Sequence, residues 1–370
     1  MTTQPLKIVQ TLPALNAGGV ERGTLEFARK LIEYGHESIV ISNGGSLVKQ
    51  LEQEGSRHIT LPVHKKSLLS LLQVVPFRQL MEDLHPDILH VRSRVPAWIA
   101  WLAWRKMPNN ARPKLVSTFH GMYSVSRYSA IMAKAEQIIA ISDCVHQYIV
   151  DNYPIDPTRI TRIYRGLDDQ TFNPHACTQE WKQRLFTAHP QLRNKILILM
   201  PGRLTRWKGQ EAFLHMMQIL VAHRPDCHGI LVGAAEHNKS HYETELHQLR
   251  DRLGLTQHIS FLGHRSDIEA FYGLASVTCH MSNKAEPFGR TVPEALACGC
   301  PVVAYDRGGA SESMRTAFPQ GLVEPDNLID FAEKVQQLLT ESHSVTLPDN
   351  FYLDFQAQAT LEVYQRLLSH

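Results

Sequence analysis

Short apolar stretches, each closed by a glycine or a small polar residue, recur along this chain and alternate with segments patterned for helix. Leu6–Thr11, Ser38–Ser42, Asp87–Val91, Leu115–Phe119 and Ile138–Ser142 make one series, and Ile196–Met200, His228–Val232, Ile259–Leu262, Val277–Ser282 and Pro301–Ala304 make a second. Between them, residues such as Leu25, Ala28, Leu31 and Ile32 recur at helical spacing. Strictly alternating strands and helices predict an α/β protein with parallel doubly wound sheets, and ligands of such sheets bind beyond the carboxyl ends of the strands. A chain of 370 residues exceeds one typical core, so two domains of similar size are expected.

The stretch from Lys284 to Ala304 concentrates the chemistry. A glycine-containing turn leads into a short helical run that stops at Gly299, and Pro301 opens a wholly apolar strand. Glu286 falls in the turn, where the amides of Phe288, Gly289 and Arg290 are expected at the positive end of the helix dipole, a place for a diphosphate. Glu294 lies about two turns further on. A carboxylate there repels phosphate but accepts hydrogen bonds from a ribose diol or a sugar hydroxyl. Taken alone, the pattern also fits an αβ unit with two solvated glutamates.

Glu286-Pro287-Phe288-Gly289-Arg290-Thr291-Val292-Pro293-Glu294, continued by Ala295 to Ala304 and by Asp306-Arg307-Gly308-Gly309-Ala310-Ser311-Glu312, resembles the glutamate-x7-glutamate signature of retaining GT-B glycosyltransferases, specifically glycosyltransferase family four. The resemblance covers essentially the whole chain. It implies two facing Rossmann-like domains with a cleft between them. Residues 1–180, completed by a helix of about 351–370 that crosses back, would bind the acceptor, and residues 195–350 the nucleotide-sugar donor, a UDP-sugar in the first instance.

The same resemblance assigns roles to residues. Gly202-Arg203-Leu204 with Lys208-Gly209 matches the family's phosphate-binding loop, and two cations at a strand end can stabilise a diphosphate as it leaves. Gly18 and Gly19, after the first strand, match the glycine loop that meets the donor diphosphate or the acceptor. His120, at the end of Leu115–Phe119, matches a histidine that touches the transferred sugar, and Gly263 and His264 stand where the base is held by backbone groups. The implied catalytic set is thus Arg203, Lys208, Glu286 and His120, and the donor set is Gly18, Gly19, Gly263, His264, Phe288, Gly289, Arg290 and Glu294. No Asp-x-Asp motif is evident, so neither a metal nor a cofactor is expected, the nucleotide-sugar being a co-substrate. One departure stands out: Arg165 occupies the place of the family's usual asparagine, facing phosphate or pairing with Asp168.

Composition narrows the partners. A formal charge of +2 gives no general attraction to nucleic acid, yet residues 1–120 carry fifteen Lys and Arg against nine Asp and Glu. That basic half suits an anionic acceptor such as a phosphorylated lipopolysaccharide-core or surface-polysaccharide glycan, with Arg22, Arg92 and Arg94 as contacts. Arg92 and Arg94 follow a strand end, where surface arginines are also common. Lys65 and Lys66 precede the apolar Ser67–Val75, which either lies on an anionic membrane surface or packs on the sheet as a helix. The six cysteines lack metal spacing and read as reduced thiols, and the amino terminus carries no secretory pattern, so a cytoplasmic or peripheral protein is expected.

Two other readings compete. A non-catalytic nucleotide-sugar binder would not need the cations at the leaving group, and a dinucleotide-dependent dehydrogenase would carry a Gly-x-Gly-x-x-Gly turn that is missing here. Transfer to a soluble sugar or sugar phosphate remains the alternative within the enzymes.

Overall fold

The computed structural model describes residues 4–16, 18–235 and 240–369. Of the stretches discussed above, Ala17 of the glycine turn and Met1–Thr3 lie outside them. The chain divides into two compact units, one running to Gly166 and resuming at Tyr352, the other Leu167–Phe351.

In the first unit the strands are β1 (Lys7–Thr11), β2 (Glu37–Ser42), β3 (Arg57–Thr60), β4 (Ile88–Val91), β5 (Lys114–Phe119), β6 (Gln137–Ala140) and β7 (Ile160–Arg162). They form one sheet in the order β3-β2-β1-β4-β5-β6-β7. Every neighbouring pair is parallel, with Val9 opposite both Ile39 and Leu89. Parallel strands need crossover helices, and these cover both faces and bury the strand residues whichever way they point. Ile8, Val9, Ile39, Val40, Ile41, Ile88 and Leu89 are accordingly inaccessible. The C-terminal helix Leu353–Leu368 closes this core, setting Ala357, Leu361 and Tyr364 against Ile8, Phe27, Ile88 and Val116.

The second unit repeats the plan with β8 (Ile196–Pro201), β9 (Cys227–Val232), β10 (Ile259–Phe261), β11 (Val277–His280), β12 (Val302–Tyr305) and β13 (Leu322–Val323), ordered β10-β9-β8-β11-β12-β13 and again parallel throughout. In both sheets the strand order reverses once, between β1 and β4 and between β8 and β11. Loops at such a switch point part to opposite faces and leave a crevice at the carboxyl ends of the strands.

The first unit ends at Gly166 rather than near 180. Residues 175–195 contain the helix Gln179–Ala188, whose Trp181 packs edge-on against Phe271 at 4.9 Å and donates to Asp267 at 2.7 Å. One tryptophan in a polar run is enough to anchor the segment, because its buried ring outweighs its neighbours. Leu68–Gln73 forms a 3-10 turn before the helix Val74–Leu84. That helix buries Val74, Phe77, Met81 and Leu84, while Leu69, Leu72 and Val75 are 73%, 69% and 51% exposed. Among the described residues no helix is long and apolar enough to cross a membrane.

Candidate functional site

At the switch point of the second sheet, the loop after β8 carries Arg203 and Lys208, and the loop after β11 carries Glu286. Gly209 holds the two together. It has φ +85°, and a Cβ there would fall 2.0 Å from the Met281 carbonyl oxygen, so a side chain is barred by both conformation and space. Lys208 thereby reaches Glu286, its Nζ donating to Oε1 at 2.7 Å.

Glu286 is 6% exposed and accepts a further bond from Ser282 Oγ, and His280 Nε2 lies 3.2 Å from Oε1. Burial works to raise this carboxyl's pKa. The charges around it and the bonds from Lys208 and Ser282 outweigh burial and hold Glu286 below the usual carboxylate value, so it is ionised at neutral pH. Burial, with Lys208, lowers the His280 pKa against the upward pull of Glu286, and its Nδ1 is 3.2 Å from Thr291 Oγ1. Lys208 has three N–H donors and spends one on Glu286, leaving donors for a phosphate oxygen.

Glu294 forms a second buried constellation, 8% exposed. Oε2 accepts from the Tyr272 hydroxyl at 3.0 Å and Oε1 from Arg290 Nε at 2.6 Å. Each carboxylate oxygen accepts two bonds, so capacity for a hydroxyl ligand remains. Arg290 and Glu294 stand four residues apart across the start of the helix Thr291–Ala297. Gly289, at φ +72°, lets that start close against Ala310, whose Cβ would lie 2.4 Å from an added Cβ.

The other expected donor contacts of this unit flank the same strand ends. Arg203 is exposed, and its carbonyl accepts from Gln210 Nε2 at 2.9 Å, which pins the phosphate-loop backbone. The Gly263 carbonyl accepts from the Gly233 amide at 2.8 Å, joining the loops after β9 and β10, and His264 beside it is exposed. Phe288 is buried with its ring 6.5 Å from Phe351.

In the first unit, Gly18 caps the helix Gly19–Glu33, and the Gly19 carbonyl accepts from Arg165 Nη2. Arg165 thus secures the glycine turn, a role the sequence left open. Arg22 is exposed. Arg92 is not the exposed surface arginine that was the alternative reading: it is 3% exposed and donates to Gln10, because it follows β4 directly into the interior of the unit. Arg94 is half-buried, stacked 4.7 Å from the Tyr123 ring centroid and bonded to Ser129 at 3.2 Å. His120 follows β5 and lines a small pocket with Arg92 and Arg165. Burial first, then those two arginines and His90, hold its ring neutral.

Sequence reasoning missed Tyr272, Ser282 and His280. Tyr272 gave no signal, since a tyrosine in an amphipathic helix is ordinary core. The four-residue spacing of Ser282 and Glu286 was visible but carries meaning only in this loop.

Comparison with known proteins agrees with this layout. Residues 17–171 match the family described as Glycosyltransferase Family 4, and residues 182–352 match Glycosyl transferases group 1. The crystal structure of a glycosyltransferase from Rickettsia africae ESF-5 is 30% identical, covering 99% of each chain with a TM-score of 0.84. That of Anabaena Alr3699/HepE in complex with UDP shares the fold at 23% identity, with 98% of this chain and 100% of the other covered and a TM-score of 0.81. The D-inositol 3-phosphate glycosyltransferase of Thermobifida fusca (strain YX) is 25% identical over 88% of this chain and 81% of its own length. With two parallel-sheet units, the glutamate pair in its loop-helix-strand setting and both halves matched, the chain belongs to the GT-B glycosyltransferases, in glycosyltransferase family four.

Proposed function

We propose that the protein transfers a sugar from a nucleotide-sugar donor, a UDP-sugar, to a glycan acceptor with retention at the anomeric carbon. The observation that carries this reading is the buried Lys208–Glu286 pair at the switch point of the second sheet, with the Arg290–Glu294–Tyr272 cluster on the adjoining helix. Lys208 and Arg203 stabilise the departing diphosphate in place of a metal. Glu286, ionised and positioned by Ser282, accepts hydrogen bonds from the transferred sugar, while Glu294 accepts from the ribose. The acceptor hydroxyl attacks on the face the diphosphate leaves, and a phosphate oxygen takes its proton. HepE, solved with UDP, supports the choice of base.

For the acceptor, the basic first unit favours a phosphorylated glycan or glycolipid of the lipopolysaccharide-core or surface-polysaccharide class. The exposed Leu69, Leu72 and Val75 beside Lys65 and Lys66 favour peripheral attachment to an anionic cytoplasmic membrane face. The inositol-phosphate relatives favour a second reading, transfer to a soluble sugar phosphate.

Thermal-shift screening against UDP, GDP, ADP and NAD, followed by UDP release from UDP-sugars, tests the proposal. UDP alone should raise the melting temperature, since a ligand that binds only the native state stabilises it. Stabilisation by NAD with none by any nucleoside diphosphate would overturn the reading.

A further inference from the structure

At the carboxyl end of the first sheet a buried arginine lacks a directly bonded carboxylate. Arg92 is 3% exposed and donates to the neutral amide of Gln10, while its Nε has no partner. Glu26 attracts its charge, but Arg92 has no ion pair within 4.0 Å among the described residues. The pocket it lines also receives Arg165 and His120, and both ring nitrogens of His120 are buried without a hydrogen bond. His90, which lines it too, is spoken for by Tyr364 at 2.6 Å and Thr118 at 2.7 Å. No aspartate or glutamate lines the pocket.

Burying a charged group costs several kcal/mol unless it is paired. Burial already pulls the Arg92 guanidinium down to about 10. A water molecule would satisfy Nε and an imidazole nitrogen yet leave the charge unmatched, whereas an anionic oxygen answers both. The enclosed space, about 20 Å³, admits one or two oxygen atoms and excludes a sugar ring.

We propose that this pocket receives one acidic group of a substrate, a carboxylate or phosphate oxygen, held by Arg92 with Arg165 and His120, so that the enzyme acts on an acidic sugar. The inference rests on the glycosyltransferase reading and adds the pocket and residues that would hold the substrate's acidic group. The acidic group belongs either to the transferred sugar, as in a uronate, or to the acceptor.

The test uses the intact protein. UDP release is measured with UDP-glucuronate and UDP-glucose, and binding of glucuronate, glucose 6-phosphate, inorganic phosphate and glucose is followed on the His120 ring resonances. The expected result is an affinity or kcat/KM at least about tenfold better for the acidic member of a pair, the scale of one charge-assisted contact. His120 should shift with that ligand, and the preference should vanish in Arg92→Gln. Preference among the UDP-sugars puts the acid on the donor, and preference among the free sugars puts it on the acceptor.

Equal use of acidic and neutral sugars overturns the proposal. So does a preference that survives in Arg92→Gln, or saturation by inorganic phosphate without any preference among sugars. If Arg92→Gln fails to fold, the acid-to-neutral ratio and the His120 shift in the native protein still decide. Failure of the glycosyltransferase reading appears separately, as absence of UDP binding and of turnover with every UDP-sugar.

Discussion

The two sheets present their strand ends in the same topology but balance charge in opposite ways. In the second unit the two buried carboxylates of the site each have a cation, Glu286 with Lys208 and Glu294 with Arg290. In the first unit Arg92 is as deeply buried with no ion pair among the described residues, and both ring nitrogens of the neighbouring His120 lack a hydrogen bond. A self-compensated site can stay folded and pre-organised while empty, then exchange or share its internal partners with a diphosphate and hydroxyls. A site whose buried arginine has no directly paired carboxylate can take an anion from the substrate instead. Similar folding topology therefore does not imply similar ligand chemistry, because side chains at the strand ends, not the sheet, decide it.

The largest effect that could break this comparison is kinetic. Lys208→Ala and Arg203→Ala should each lower kcat by roughly a hundredfold or more, the usual loss when a group stabilising transition-state charge is removed. Turnover should also survive EDTA. Loss restored by Mg²⁺ would transfer the leaving-group role to a metal.

Next in size is stability. Lys208→Ala strands the buried Glu286 charge and should destabilise the unliganded protein by about 3 kcal/mol in denaturant titration, the usual cost of breaking one half of a buried pair. The double variant Lys208→Ala with Glu286→Gln should recover most of that loss. No recovery would mean that the lysine acts by packing rather than by compensating charge.

Acidity sharpens the same point. Glu286 has a native pKa below its unfolded value, so its contribution to stability is complete above the ordinary carboxylate range and disappears as pH falls through the native value. His228 behaves in a different window. Its ring is held down to about 4 by burial, then by His258 and Lys195, so stability is lost between pH 6.5 and about 4 as the unfolded chain takes up a proton the native state refuses. The stability difference between the native protein and Glu286→Gln cancels the His228 effect. That difference should be constant from pH 7 to 5 and shrink only below the carboxylate range. A difference that shrinks near pH 6.5 would assign the charge at this site to His280 instead.

How much of this was legible in the sequence differs between the two sites. The strand series and the glutamate motif could be read because period, apolar runs and glycine stops are local properties. The Arg290–Glu294 pair was implicit in a four-residue spacing. Tyr272 beneath Glu294 was not, because the partner arrives from another helix. The position of Arg92 at a strand end could be read, but its burial could not, because charge alone predicts exposure; it is buried because the strand it follows lies in the middle of the sheet. Trp181 shows the opposite case, a polar run tied down by one large ring.

The smallest effect concerns the exposed face of the first unit. Lys65→Ser with Lys66→Ser should weaken cosedimentation with anionic vesicles by a few-fold and steepen no other property, since exposed charges are screened within about 8 Å at physiological ionic strength. Donor affinity should be unchanged. Absence of binding at low salt in the native protein would remove the membrane reading and favour the soluble acceptor.

The division of labour in the second unit is tested most directly by calorimetry with UDP on the native protein, Lys208→Ala, Glu286→Ala and Glu294→Ala. The account predicts that Lys208→Ala and Glu294→Ala each weaken UDP about tenfold or more, one charge-assisted contact apiece, while Glu286→Ala leaves UDP affinity within about twofold yet abolishes most sugar transfer. Equal weakening by Glu286→Ala and Glu294→Ala, or unchanged affinity in Lys208→Ala, would contradict it.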